Sequence, residues 1–206
     1  MQGKFITFEG SDGSGKTTQI ELVKTYFESK KIDYIFTREP GGTVIGETIR
    51  EIILDKKHME MSEKTEALLY AASRAQHVKE LIKPALAKGK VVLCDRFVDS
   101  SIIYQGMGRG LGEEVISRIN EWATGGLKPD LTVLLDLDHK IGLTRKKSQK
   151  VLDRLELQKS EFHNIVVEGY KNLAEKNKDR IVAINASLKI EDIHKTIIKA
   201  ISKVLY

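Results

Sequence analysis

Gly10-Ser11-Asp12-Gly13-Ser14-Gly15-Lys16-Thr17 matches the spacing G-x-x-x-x-G-K-[ST] without a mismatch. Glycines admit backbone with φ > 0, so successive N–H groups can turn inward as a nest for an anion. A helix opening on the loop adds partial positive charge at its N-terminus. Lys16 is a point charge able to reach β- and γ-phosphates, and the Thr17 hydroxyl is a ligand type suited to Mg²⁺. A glycine turn that binds nothing has the same composition, but this one follows an apolar run and precedes helical spacing, the context the motif needs. It points to a nucleoside triphosphate and names no reaction.

Other segments carry further chemistry. Val91–Asp95 is an apolar run ending in a carboxylate, which places Asp95 either as a holder of Mg²⁺ and its waters or as a cap or turn residue. Arg38, in Thr37-Arg38-Glu39-Pro40-Gly41-Gly42, offers a planar fork for phosphate where parallel strands face a ligand crevice. Tyr70 and Arg74 stand four apart on one helix face. They could stack on a base and bond its edge, or be a core ring and a solvated charge. Asp95-Arg96-Phe97-Val98-Asp99-Ser100-Ser101, followed by Tyr104-Gln105-Gly106, adds a second arginine with hydroxyl and amide groups. A GTPase would need a D-x-x-G switch after a later strand and an N-K-x-D base reader. Outside the loop itself no Asp is followed three residues later by Gly, and Asn177-Lys178-Asp179 falls one residue short. The five histidines match no metal-binding spacing, and Cys94 reads as a buried small hydrophobe.

These residues need a scaffold. Short apolar runs at 4–9, 33–37, 91–95, 131–137 and 180–185 have little polar alternation, as strands buried on both faces do. Between them, apolar residues recur at helical spacing, as in Ile20, Val23 and Phe27, in the stretch 66–86, and in Ile193, Ile197 and Ile201. Alternating strands and helices imply a parallel sheet covered on both faces. With 206 residues, 41% hydrophobic and 31% charged, the chain reads as one domain over 1–206. One cysteine excludes an internal disulfide framework, no apolar run reaches the ~20 residues of a membrane span, and Glu9 comes too early for a signal peptide. A cytoplasmic protein with no membrane partner is expected. The net charge of +5 includes five basic and no acidic residues between Lys140 and Lys150, a run that reads as solubility or as a lid. It contains no aromatic, so no nucleic-acid partner is expected.

The segments 8–18, 37–42, 68–77, 95–101, 104–106 and Asp153-Arg154-Leu155-Glu156 together resemble the thymidylate kinase family, P-loop nucleoside monophosphate kinases. The resemblance implies a P-loop kinase fold with a five-stranded parallel sheet, helices on both faces and a short lid at about 143–155. It implies transfer of the γ-phosphoryl of ATP to dTMP with Mg²⁺, giving dTDP for dTTP synthesis, by a homodimer. ATP would be held by Gly10, Ser11, Asp12, Gly13, Ser14, Gly15, Lys16, Thr17 and Thr18, with Arg145 from the lid and Asn185 on the adenine side. Asp12 would bind the sugar 3′-hydroxyl, and Arg38 and Arg96, with Glu39 nearby, the acceptor phosphate. Tyr70 would stack on thymine, Arg74, Ser101 and Gln105 would read its edge, and Tyr104 would lie under the sugar. Thr17 and Asp95 would hold the metal. Gly13 leaves the loop without an arginine, a bacterial-type arrangement in which the lid supplies the positive charge: Arg145 and Arg154 would fold over ATP, and Arg154 would join Lys16, Arg38 and Arg96 in catalysis.

Overall fold

The computed structural model of the protein describes residues 3–138, 141–142 and 153–206. Five strands, β1 (Phe5–Glu9), β2 (Tyr34–Arg38), β3 (Val91–Asp95), β4 (Leu131–Asp136) and β5 (Ile181–Asn185), form one sheet in the order β2-β3-β1-β4-β5. All four pairings are parallel. Register sets Arg38 beside Asp95, Asp95 beside Phe8, and Asp136 beside Asn185, so the chemistry-bearing residues gather at the carboxyl ends. The chain crosses from β1 to the β2–β3 side and returns to β4 on the other, which opens a ligand crevice above β1.

The longer helices are α1 (Lys16–Ser29), α2 (Val44–Leu54), α3 (Glu63–His77), α6 (Glu113–Thr124), α7 (Ser160–Lys176) and α8 (Ile190–Leu205), with the short α4 (Lys83–Ala87) and α5 (Val98–Ser101) between them. Period-2 alternation explains how the sheet covers both faces. Ile6, Phe8, Leu93, Val133 and Leu135 point to one side and meet Ile20, Val23 and Phe27 of α1 and Ile197 and Ile201 of α8. On the other side Phe5, Val92 and Cys94 meet Val78, Ile82 and Phe97, while Leu134 meets Phe162, Val166 and Tyr170 of α7. The expected strand at 33–37 sits one residue later. The helical stretch at 66–86 is three pieces: α3, a wide π turn at Val78–Ile82, and α4. Pro84 accounts for the break, since it lacks an N–H and its ring crowds the carbonyl one turn before it.

Phe27 has no solvent exposure and joins α1 to the sheet and α8. Phe27→Ala should therefore lower unfolding free energy by about 3–5 kcal/mol, read as a shifted urea midpoint at constant m. A loss under about 1 kcal/mol would mean the layer closes over the missing ring.

Candidate active site

A cavity of about 850 Å³ opens above the carboxyl ends of β1, β2 and β3. Its floor is the loop before α1. Gly13 and Gly15 take φ of 76° and 93°, conformations that side-chain-bearing residues adopt only with strain. Helix α1 starts on Gly15 with no side-chain cap and no acidic residue in its first turn, so its leading N–H groups remain for an anion. Lys16 is buried and folds back to donate from Nζ to the carbonyls of Gly10 at 2.9 Å and Ser11 at 3.1 Å. Burial, then repulsion from Arg96, lowers its pKa to about 8, against the pull of Asp95, Asp12 and Glu9. Thr17 and Thr18 are exposed on the cavity side. Ser14 Oγ and Asp95 Oδ1 are both buried without a hydrogen-bond partner. A buried carboxylate oxygen left unpaired costs free energy unless a cation or water meets it, so Asp95 fits a place in the coordination of Mg²⁺, which takes few protein ligands. Gly13 also meets Gly142 closely: a Cβ on Gly13 would lie 2.3 Å from the Gly142 carbonyl oxygen, and one on Gly142 would lie 2.4 Å from that of Asp12.

The second wall holds the arginines. Arg96 has φ of 67°, which only surrounding bonds can maintain in a non-glycine residue. Its Nη2 donates to Asp12 Oδ1 at 2.9 Å, its Nη1 to Ser100 Oγ at 3.2 Å and Tyr170 Oη at 3.3 Å, and it stands 5.3 Å over the Tyr104 ring. Beneath it Glu9, fully buried, accepts from both of those hydroxyls at Oε2, at 2.6 and 2.9 Å. Burial and the Asp99 charge raise its pKa to about 7. A carboxylate facing both hydroxyl protons turns the hydroxyl lone pairs toward Arg96. Arg38 donates to the Pro40 carbonyl at 3.0 Å and to Glu47 at 3.0 Å, and Arg50 shares that carbonyl at 2.9 Å.

Arg74 is almost wholly buried. Its Nε donates to Glu39 at 2.7 Å, Nη1 to Ser101 Oγ at 3.0 Å and to Asn120, and Nη2 to the Phe97 carbonyl at 3.2 Å. Glu39 also faces His77 Nδ1 at 2.9 Å. Tyr70, its phenol pushed to a high pKa by burial and by Glu66, lines the cavity with Arg74, Ser101, Tyr104 and Gln105.

Most of the residues singled out in sequence thus share one cavity: Asp12–Thr18 of the loop with Arg38, Glu39, Tyr70, Arg74, Asp95, Arg96, Ser101, Tyr104 and Gln105. Three do not. Arg145 lies outside the described residues, as does the expected lid up to residue 152. Arg154, expected over the ATP as a lid arginine, is 2% exposed and donates to Glu66 at 2.6 Å and the Ile53 carbonyl at 2.8 Å, partners that satisfy its buried charge. Asn185 is exposed and accepts from Ser187, while its neighbours Ala186 and Leu188 line the cavity. Glu9, Arg50, Glu66 and Tyr170 gave no signal in the sequence. The nearest was Glu66 interrupting the buried face of α3, where a first-turn acid is also a favourable match to the helix dipole.

The sheet order and the loop opening onto α1 define the P-loop kinase fold. The family model described as thymidylate kinase matches residues 8–197. The thymidylate kinase of Symbiobacterium thermophilum is 49% identical over 98% of this chain and 94% of its own, and that of Lactobacillus delbrueckii subsp. bulgaricus 55% over 91% and 90%. The crystal structure of thymidylate kinase from Ehrlichia chaffeensis matches with a TM-score of 0.80 at 34% identity, covering 98% of this chain and 99% of that one. This chain is a member of the thymidylate kinase family. Among the described residues no helix is long and apolar enough to cross a membrane.

Because Lys16 loses its proton near pH 8 in the free protein, binding of a nucleoside triphosphate should weaken as pH rises through about 8, by up to about tenfold per unit. Calorimetry from pH 6.5 to 9.5 reads this, and Lys16→Met should flatten the profile.

Proposed function

We propose that this protein phosphorylates dTMP to dTDP with ATP as donor and Mg²⁺ as the metal, and that the cavity is where the two nucleotides meet. The observation carrying the reading is the set of groups that share it. One lining brings together a phosphate loop with Lys16, the cations Arg38 and Arg96 with Asp12 bonded to Arg96, and the ring and edge-reading groups Tyr70, Arg74 and Gln105. Small-molecule nucleotides are the substrates this family membership favours.

The acceptor is a phosphate monoester with second pKa ~6, largely dianionic at pH 7, so it attacks without a general base. The barrier is repulsion between two polyanions. Arg96 and Arg38 would bind the acceptor phosphate, and Lys16 with the loop N–H groups would bind the donor. Thr17 and Asp95 would hold Mg²⁺, which would supply positive charge against the triphosphate. Asp12 would orient the sugar through its 3′-hydroxyl while fixing Arg96. Tyr104 would lie under the ring, and the loop from Gly10 to Thr18 would cradle the triphosphate. On the adenine side we assign Ala186 and Leu188 with Asn185 as the turn-former behind them. Arg154 would reach the transferred phosphoryl only by leaving Glu66, so the cations that carry the reading are Lys16, Arg38 and Arg96.

We also propose a homodimer. Val44 and Ile45 on α2, Leu68 on α3, and Val115 and Trp122 on α6 are exposed apolar side chains, Trp122 at 88%, on helices packed in series. Such surface normally meets a partner.

A coupled ADP-release assay with dTMP, dUMP, thymidine, CMP and AMP tests the activity. dTMP should be the best acceptor and thymidine inactive, whereas equal turnover of thymidine would place the acceptor group elsewhere. Arg96→Met should lower kcat/KM for dTMP by about 10³-fold or more. Trp122→Glu should convert a dimer to a monomer in sedimentation equilibrium, and an unchanged mass would move the interface away from α6.

A further inference from the structure

Glu66, in the first turn of α3, has no solvent exposure. Its carboxylate collects donors from two separate segments. Gln105 Nε2 reaches Oε1 at 2.9 Å, and Arg109 reaches Oε1 from Nε at 3.3 Å and Oε2 from Nη2 at 3.0 Å. Arg154 Nη2 reaches Oε2 at 2.6 Å. Both arginines are fixed on their far sides, Arg154 by the Ile53 carbonyl at 2.8 Å and Arg109 by Gln158 at 2.9 Å. Burial alone would raise the pKa of Glu66, but the bonds from Arg109 and Gln105 and the charges of Arg109 and Arg154 hold it below its ordinary value.

An ionised carboxylate only accepts. The Gln105 amide must therefore turn its nitrogen to Glu66, which leaves its oxygen for the cavity that Gln105 lines. On the same wall Arg74 has spent four of its five N–H groups on Glu39, Ser101, Asn120 and Phe97, and one remains. Ser101 and Gln105 are one helical turn apart. The wall thus offers the remaining Arg74 N–H as a donor and the Gln105 oxygen as an acceptor, beside a Ser101 hydroxyl that accepts from Arg74. A 4-keto pyrimidine with a proton on N3 matches that pair, and a 4-aminopyrimidine with a bare N3 opposes it at both positions.

We propose that Glu66 is a specificity-determining positioning residue, which locks the Gln105 amide so that the pocket selects a 4-keto over a 4-amino pyrimidine monophosphate. The proposal rests on the dTMP reading above and extends it to a residue that does not touch the base. Arg109 and Arg154 act by keeping Glu66 charged and still.

In Glu66→Gln the new amide can donate or accept, so Gln105 is free to turn. The preference for dTMP over dCMP in kcat/KM should narrow at least about tenfold, through the KM for the acceptor, with the KM for ATP unchanged. In a Gln105→Met background, Glu66→Gln should cause no further narrowing, because its effect passes through that amide. Additive losses in the double variant, or lower activity with the preference intact, would overturn the proposal. A measurement on the unaltered protein covers the case in which Glu66→Gln does not fold. With glutamine side chains labelled with ¹³C and ¹⁵N, and Gln105 assigned by its loss in Gln105→Met, added dTMP should move the Cδ carbonyl signal and leave the Nε2 hydrogens in place. Movement of those hydrogens instead would overturn it. Failure of the unaltered protein to use dTMP would sink the activity assigned above, whereas normal dTMP use with an unaltered preference in Glu66→Gln sinks this proposal alone.

Discussion

Cations assembled to receive phosphate repel one another until the phosphate arrives. In this protein most of the arginines at the cavity and around it rest on a carboxylate: Arg96 on Asp12, Arg38 on Glu47, Arg74 on Glu39, and Arg109 and Arg154 on Glu66, while Arg50 bonds the Pro40 carbonyl. For the two fully buried pairs, Arg74–Glu39 and Arg154–Glu66, the arrangement carries a cost in desolvation, and losing one partner removes about 3–5 kcal/mol because a charge is left alone. What the fold gains is position. A guanidinium held on one edge before a ligand enters needs no reorganisation when charge develops in front of it, and that is where electrostatic catalysis has its largest effect. The left-handed backbone of Arg96 belongs to the same logic, since its conformation persists only because Asp12, Ser100 and Tyr170 hold the side chain.

The parts of this design that could be read from the sequence are those whose requirements are local. The loop needs glycines, a lysine and a threonine within eight residues, so its pattern is visible without a fold. Tyr70 and Arg74 share a helix face by spacing alone. The strands announce themselves because both faces are apolar, and the one-residue shift at β2 is the ordinary uncertainty of an end. The supporting carboxylates were not legible, because their partners are remote: Glu9 meets Tyr170 across 161 positions and Glu66 meets Arg154 across 88. No window of sequence holds both members. The same distance explains Arg154, whose segment by resemblance points to the donor phosphates while its binding partner lies on α3.

Placing these groups depends on the parallel sheet. Register puts Arg38, Asp95 and Phe8 at one level, and α5 folds over the end of β1 so that the Phe97 and Ser100 N–H groups both reach Glu9, at 2.8 and 3.3 Å. The segment carrying Arg96 and Ser100 is therefore held to the same strand that leads into the glycine-rich loop. Movement of that segment relative to the glycine-rich loop would have to break these hydrogen bonds to Glu9, which ties its position to the end of β1.

The close approach of Gly13 and Gly142 bears on how this chain can drift. With no room for even a methyl group at either α-carbon, alanine at one position cannot be accommodated by repacking, because the obstacle is main chain on the opposite side. Lineages descended from this sequence can then exchange neither glycine alone. Each must keep both, or part the two segments in a single larger rearrangement of the donor mouth, which makes this pair a poor place for gradual divergence.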